Sequence, residues 1–282
     1  MIAPSEIQRT SAALGVSQDV VEHDYALGCF LHFLSGVPEV QRSWKFKGGT
    51  CLAKCHFTHY RFSEDLDFTL TESIKPAALG NLLDQAKAAT QAETGIKMDV
   101  RPTAVEVIED DYGKEAFEAR VYYEGVWRPR GAARSIRIHA NRDELLLFPS
   151  VTLVVHHSYS DEPQLPVVSI HAYALEEMVA EKLRALSGQR KYAIARDCYD
   201  LWSLKNTRVD MNRALEAYHK KCNAKGIVPT SNTLERLHDS RDEYESNWKN
   251  NLEYLVPADL KCSFPDAWHL SLDLLEKALQ MH

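Results

Sequence analysis

Residues 45–52 read KFKGGTCL, and residues 61–70, which follow after a short spacer, read RFSEDLDFTL. From Ser63 to Leu70 polar and apolar residues alternate strictly, which is typical of a β-strand with one buried face. The alternation places Asp65 and Asp67 on the same face, two residues apart. The sequence therefore predicts a strand that presents two neighbouring carboxylates.

Two consecutive glycines, Gly48 and Gly49, precede this strand. Glycine has no Cβ, so backbone N–H groups can approach a ligand closely there. A helix that opens at Thr50 would add the partial positive charge of its N-terminus. Phosphoryl transfer requires groups that bind phosphates and groups that bind Mg²⁺. The glycine turn could supply the first and the two carboxylates the second. The alternative is a tight turn beside an ordinary solvated strand face.

The overall composition is that of a water-soluble protein. The 282 residues carry a net charge of −7, which argues against nonspecific nucleic-acid binding by the whole surface but leaves room for a local basic groove. Six scattered cysteines without a Cys-x-x-Cys pair predict buried thiols and no zinc site. No signal-like leader or membrane-length apolar run is present, so we expect a cytoplasmic protein with no membrane partner.

Strand patterns dominate the first part of the chain and helical patterns the second. Helices are predicted over residues 5–35 and 76–94, and the periodicity is helical from about residue 173 onward. We therefore predict an α/β (α+β) fold, with a catalytic domain over residues 1–168 and a helical domain over residues 169–282 that completes the active site. Further strands are predicted at residues 44–47, 96–100, 105–108, 117–123, 135–140 and 151–155.

The first helical segment of the second half contains a lysine on its apolar side. Lys182 lies seven residues after Leu175, and an ammonium there must reach solvent or an anion. A contact to triphosphate is one interpretation, and a salt bridge to a neighbour such as Glu177 or Glu181 is the other. The next helix contains Asp197 and Asp200. One interpretation is that one of them orients Lys182 or the metal. The other is a structural ion pair with Arg190, Lys191 or Arg196.

Five segments in order resemble one family. The glycine turn and the aspartate strand look like the signature of the AbiEii-type nucleotidyltransferase toxins, which belong to the DNA polymerase β-like superfamily. The segment from Val21 to Tyr25 resembles the family's KDY stretch. The similarity spans about residues 5 to 205 and also includes the segments Glu181 to Leu186 and Arg196 to Leu201.

The resemblance implies a polymerase β-like core with a mixed sheet and a Mg²⁺- or Mn²⁺-dependent transfer from a nucleoside triphosphate (NTP). It implies a toxin that modifies an acceptor such as a tRNA 3′ end or another RNA, blocks translation, and is neutralised by a cognate antitoxin, for which a winged-helix protein is one candidate. The expected metal ligands are Asp65 and Asp67; the expected phosphate contacts are Lys47, Gly48, Gly49, Thr50, Arg61, Ser63 and Arg190; Lys182 and Asp200 or Asp197 are expected to be active-site residues.

The sequence departs from the superfamily at the third carboxylate. By resemblance, His139 occupies the position on a neighbouring strand where an acid is common. Histidine is a poor ligand for Mg²⁺, so His139 is either a general base or a residue with an ordinary hydrogen bond. Asp143 and Glu144 are alternative candidates for the third carboxylate. The aromatic and basic residues 122–130 are a candidate RNA contact together with Arg134 and Arg137.

Two other functions fit the same sequence. The same site on a different acceptor would modify a protein hydroxyl or a small molecule such as an aminoglycoside. A degenerate site would leave a nucleotide-binding regulator or interaction protein.

Overall fold

The computed structural model describes residues 1–110, 113–126, 133–189 and 192–281. These residues form two compact units. The first unit comprises Met1–Glu144, Ser150–Ala172 and Leu255–Asp259, and the second comprises Leu145–Pro149, Tyr173–Tyr254 and the residues from Leu260 onward.

A mixed sheet is the framework of the first unit. In the described residues it has seven strands in the order β3-β4-β5-β2-β1-β7-β6. β2 runs parallel to β5 and β1 parallel to β7, while the other neighbours are antiparallel. This arrangement confirms the predicted α/β fold class with a mixed sheet. The strands are β1 (Trp44–Lys47), β2 (Asp65–Leu70), β3 (Ala104–Glu109), β4 (Glu115–Tyr123), β5 (Arg134–Asn141), β6 (Val151–Val154) and β7 (Ser169–Ala172).

Helices accompany this sheet in the first unit. They are α1 (Pro4–Leu14), α2 (Gln18–Ser35), α3 (Pro38–Ser43), α4 (Gly48–Cys51), which continues as a π-helical turn over Leu52–His56, and α5 (Pro76–Thr94). α5 packs against β3 and β4, and α2 packs against α5. Pro76 at the start of α5 and Gly95 after its end, with φ of 75°, are the residues that favour these boundaries.

The sheet has an apolar face and a polar face. On β2, Leu66 and Phe68 are fully buried, and the ring of Phe68 stacks on that of Phe46 with centroids 5.0 Å apart. Asp65 and Asp67 lie on the opposite face and are partly exposed. The predicted alternation of this strand is therefore confirmed.

Three local predictions differ from the structure. The helix predicted over residues 5–35 is divided, because Gly15 ends α1 with φ of 68° and Ser17 caps α2. Residues 96–100 are not a strand, since the amide groups of Met98 and Asp99 donate to the Gln91 side chain at 2.6 and 3.1 Å. The short strand β7 was not predicted from the sequence.

The second unit is helical. Its helices are α6 (Leu175–Arg184), which continues as a π-helical turn over Ala185–Gln189, α7 (Arg196–Leu204), α8 (Met211–Ala224), α9 (Ser231–Asp239), α10 (Arg241–Asn251) and α11 (Phe264–Gln280). α6 packs against α7 and α8, and α11 packs against α7, α8 and α9. Each of these contacts buries the apolar side of an amphipathic helix.

All six cysteines are free thiols, and all are buried except Cys262, which is partly exposed. In the part of the chain that the structure describes, no helix combines the length and the apolar character needed to cross a membrane.

A buried carboxylate holds the segment Leu145–Pro149 in the second unit. Glu177 Oε1 lies 2.5 Å from Lys221 Nζ, and both side chains are almost fully buried. Glu177 Oε2 accepts hydrogen bonds from the backbone N–H groups of Leu147 at 3.0 Å and Phe148 at 2.8 Å. One side chain therefore neutralises a buried ammonium and satisfies two backbone donors.

We predict that Glu177→Gln lowers the free energy of unfolding by about 3 kcal/mol or more, because it leaves the Lys221 charge without its closest buried counter-charge. Denaturant unfolding followed by circular dichroism measures this loss. Glu216→Gln, at an exposed position of the same unit, is the matched control and should change stability by less than about 0.5 kcal/mol. Equal stability of the two variants would contradict this role of Glu177.

Candidate active site

The glycine turn lies directly against one of the two aspartates. Antiparallel pairing of β1 with β2 places Lys47 opposite Asp67, and Gly48 follows as the first residue of α4. Gly48 has φ of 78°, in the left-handed region that favours glycine, and a Cβ there would overlap Asp67 Oδ2 and lie 3.2 Å from Asp67 Cγ. Neither the backbone conformation nor the carboxylate leaves room for a larger residue.

The second glycine faces two polar side chains upstream of β2. A Cβ on Gly49 would lie 2.5 Å from a terminal nitrogen of Arg61 and 3.0 Å from Ser63 Oγ. Both side chains are largely buried, and Arg61 donates to the carbonyl of Phe62 at 3.0 Å. The structure thus places Arg61 and Ser63 at the turn. Both are among the residues expected to contact phosphate.

The helix at the turn begins two residues earlier than predicted. α4 starts at Gly48, whereas the sequence suggested a start at Thr50. Thr50 is buried, and its hydroxyl donates to the carbonyl of Asp65 at 2.5 Å. This bond fixes the first turn of the helix against the start of β2. The hydroxyl of Thr50 therefore has a structural role, and its backbone N–H is the group that could contact a phosphate.

Each aspartate lies beside a basic residue of the parallel strand β5. Asp65 is paired with Arg137 and Asp67 with His139 in the strand register. Arg137 Nε lies 2.8 Å from Asp65 Oδ1, and His139 Nδ1 lies 3.6 Å from Asp67 Oδ1. The proximity of Asp67 raises the pKa of His139 and favours the imidazolium.

A further carboxylate, Glu118 on β4, was missed in the sequence. It is paired with His139 in the strand register, and its Oε2 lies 3.7 Å from His139 Nε2. A hydrogen bond from Arg120 lowers the pKa of Glu118 and keeps it ionised. Because these contacts depend on pairing between distant strands, no local motif in the sequence marks Glu118.

The carboxylate pair suits a hard divalent cation that also binds a nucleotide. Carboxylate oxygens are the ligands that Mg²⁺ prefers, and it is commonly held by one or two of them together with substrate phosphates. Asp65 and Asp67 are two residues apart on one face, which puts their Cα atoms about 7 Å apart. Among the described residues, no group of three or more His, Cys, Asp or Glu side chains is arranged to hold a metal without further ligands.

The second unit contains a separate buried cluster at the lysine singled out in the sequence. Lys182 Nζ lies 2.5 Å from Asp200 Oδ2 and 3.2 Å from Asp197 Oδ1, so α7 supplies both partners. Of the neighbours proposed as alternatives, Glu177 and Glu181 instead contact Lys221, at 2.5 and 3.2 Å. That Lys182 contacts triphosphate stays a prediction, as do active-site roles for Asp197 and Asp200.

Of three other candidates, the two that the structure describes lie away from the turn. Arg190 lies outside the described residues. Asp143 lines a cleft of about 420 Å³ with residues that follow β2, at the opposite end of that strand from Asp65. Glu144 comes directly after Asp143, beyond the end of β5.

Comparison with known proteins places this arrangement in a family. The sequence profile described as nucleotidyl transferase AbiEii toxin, type IV toxin–antitoxin system, matches residues 32–270. The chain belongs to this family. A search among curated proteins gave no match.

Solved structures show the same fold as this AbiEii-family chain. MenT4, a nucleotidyltransferase toxin from Mycobacterium tuberculosis, superimposes with a TM-score of 0.59 at 20% sequence identity, over 100% of this chain and 99% of its own. JHP933 from Helicobacter pylori gives a TM-score of 0.54 at 16% identity, over 94% of each chain. A further putative nucleotidyltransferase from H. pylori gives 0.50 at 16% identity, over 94% of this chain and 97% of its own.

Family membership fixes the general activity. The chain is a nucleotidyltransferase and the toxin component of a type IV toxin–antitoxin system, which implies a cognate antitoxin. Enzymes of this class act on an NTP and generally require a divalent metal ion.

We predict that Gly48→Ala lowers the nucleotidyl-transfer rate by about 100-fold, since displacing Asp67 by a fraction of an ångström disturbs the reacting geometry. Gly95→Ala is the matched control. Gly95 also has a positive φ, of 75°, but a Cβ there would meet nothing within 4 Å.

Both alanine variants should lose about 1–2 kcal/mol of stability from backbone strain, while only Gly48→Ala should lose activity. Transfer rates measured beside thermal unfolding separate the two effects. Similar transfer rates for the two variants would show that the close approach of Gly48 to Asp67 does not matter.

Proposed function

We propose that this toxin transfers a nucleoside monophosphate from an NTP to the 3′ hydroxyl of a tRNA, with Mg²⁺, and thereby blocks translation. The observation that carries the proposal is the glycine turn packed against Asp67 with Asp65 beside it. The backbone proposed to bind phosphate thus lies in contact with Asp67, one of the two carboxylates proposed to bind the metal.

The backbone of the turn is the proposed phosphate site. The N–H groups at the start of α4 favour an anion, because helix N-termini carry partial positive charge. Arg61 and Ser63 lie against Gly49 and would add a guanidinium and a hydroxyl. Lys47, which precedes the turn and is paired with Asp67, is a further candidate for the triphosphate.

Asp65 and Asp67 are the proposed ligands of Mg²⁺. When bound, the ion neutralises charge on the phosphates and orients them. The residues of the chain then have to position the acceptor, whose hydroxyl oxygen attacks the α-phosphorus while the bond to pyrophosphate breaks. Arg137 and His139 flank the aspartates and hold the carboxylates on the polar face of the sheet.

The acceptor hydroxyl must lose its proton during the reaction. His139 stays the candidate group for this step, because it lies beside Asp67. A general base must be neutral, and the hydrogen bond to Asp67, which raises the pKa of His139, favours its protonated form. Glu118 Oε2 lies 3.7 Å from the second ring nitrogen, Nε2.

The biological setting follows from the same proposal. The proposed location is the cytoplasm, because the tRNA acceptor is found there and the antitoxin must reach the toxin there. The proposed antitoxin is a winged-helix protein. Lys182 and one of the aspartates of α7 are the proposed contribution of the second unit to the reaction.

We predict that Asp65→Asn and Asp67→Asn each lower transfer by at least about 100-fold, because a metal contact of this kind contributes several kcal/mol to the transition state. The assay is incubation of the protein with labelled NTPs, Mg²⁺ and total tRNA, followed by separation of RNA, protein and small molecules. Asp99→Asn, at an exposed position of the first unit, is the control and should transfer normally.

Each outcome of this assay identifies one function. Label on RNA that is lost in both aspartate variants supports the proposal. Label on protein or on a small molecule would change the acceptor but keep the enzyme. Nucleotide binding without transfer would indicate a nucleotide-binding regulator. Full transfer by both variants would show that Asp65 and Asp67 are not the active-site carboxylates.

A further inference from the structure

A line of basic and aromatic side chains continues from the aspartates across the polar face of the sheet. Arg137 is paired with Asp65 on one side and with Arg120 of β4 on the other, so the three side chains share one row. Tyr122 lies two residues after Arg120 on the same face. We call the set Arg101, Arg120, Tyr122 and Arg137 the basic strip.

One end of the basic strip is a stacking platform. The guanidinium of Arg101 lies over the ring of Tyr122, with its central carbon 5.5 Å from the ring centroid. Bases of single-stranded nucleic acid stack on aromatic rings and on guanidinium planes, and the same arginines contact phosphates. The platform therefore fits an unpaired nucleotide better than it fits a duplex.

The arginines of the basic strip are accessible. The side chains of Arg120 and Arg137 are 47% and 45% exposed. Arg120 and Arg137 pair with Glu118 and Asp65 on the polar face. Arg134 lies on the opposite face of the strand that carries Arg137, where it contacts Asp19 at 2.7 Å and Glu22 at 2.9 Å on α2. Of the RNA contact predicted at residues 122–130 with Arg134 and Arg137, residues 127–130 lie outside the described part of the chain, while Tyr122 and Arg137 lie on the polar face.

Acidic residues border the basic strip along one side. The neighbouring row of the same face contains the carboxylates Asp67, Glu118 and Glu106, with His139 between Asp67 and Glu118. Each of these residues is paired with the next across β2, β5, β4 and β3. A phosphate backbone is repelled by these carboxylates and attracted by the arginines of the adjacent row. The charges therefore define one path that ends at Asp65.

We propose that the basic strip binds the single-stranded 3′ end of the RNA acceptor and guides its terminal hydroxyl to Asp65 and Asp67. Arg120 and Arg137 contact phosphates of the last nucleotides, and Tyr122 with Arg101 stacks a base. This inference rests on the proposed transfer to RNA and assigns the residues that recognise the acceptor.

The test is an equilibrium binding measurement with an RNA hairpin that carries a single-stranded 3′ tail. Fluorescence anisotropy monitors binding, and neither NTP nor metal is present. The triple variant Arg101→Gln/Arg120→Gln/Tyr122→Leu is compared with Arg42→Gln. Arg42 is the matched control, because it is 61% exposed and pairs with Glu72 as Arg120 pairs with Glu118. A blunt hairpin of the same stem is the second probe, and thermal unfolding checks that each variant is folded.

We expect the triple variant to bind the tailed hairpin about 5- to 100-fold more weakly from the lost stacking alone. The slope of log affinity against log salt should fall by about 0.7 for each phosphate contact removed. Arg42→Gln should bind as the wild type does, and the blunt hairpin should bind weakly to all three proteins.

Unchanged affinity of the triple variant would overturn the inference, even if the wild-type protein labels tRNA and the proposed function stands. Binding of the tail through the basic strip without any labelling of RNA would contradict the proposed function instead. Unchanged RNA binding together with lost neutralisation by the antitoxin would assign the strip to a protein partner and also overturn the inference.

Discussion

The contact between Gly48 and the carboxylate of Asp67 is the constraint on which the rest of the site depends. β1 ends opposite Asp67, and the chain must turn immediately into α4 while passing over that side chain. Only a residue without a Cβ fits both the positive φ and the space that remains. The contact fixes the distance between the backbone of the glycine turn, the proposed phosphate site, and the carboxylate of Asp67, which a longer loop would leave free to vary.

The strand register then decides which groups surround that pair. Because β5 runs parallel to β2, Arg137 and His139 fall beside Asp65 and Asp67, and β4 adds Arg120 and Glu118 one strand further on. The polar face consequently has one row with Asp65, Arg137 and Arg120 and a neighbouring row with Asp67, His139 and Glu118. The proposed nucleotide site at the glycine turn and the proposed acceptor site along the basic strip share this face.

The parts of this arrangement that follow from local pattern were predictable. Strict alternation identified the face of β2 that presents Asp65 and Asp67. The helix predicted over residues 76–94 coincides with α5, whose bounds Pro76 and Gly95 favour. The alternating apolar and polar residues at 96–100 led to a wrong strand prediction, because nothing in this stretch shows that the Gln91 side chain accepts hydrogen bonds from its backbone N–H groups.

The parts that depend on pairing between distant segments were not predictable. β7 has four residues and is defined by its pairing with β1, more than a hundred residues earlier. Glu118 and Arg120 join the site through two strand pairings, so no spacing in the sequence marks them. His139 was found only through the resemblance to a family, and its partners became visible only in the structure.

The most direct test of the central claim is the crystal structure of the protein with Mn²⁺ and a non-hydrolysable NTP, in which anomalous scattering locates the metal. We expect Mn²⁺ bound to carboxylate oxygens of Asp65 and Asp67, with the triphosphate against the backbone of Gly48 and Gly49 and beside Ser63. A metal held by other residues, or a triphosphate bound away from the glycine turn, would contradict it.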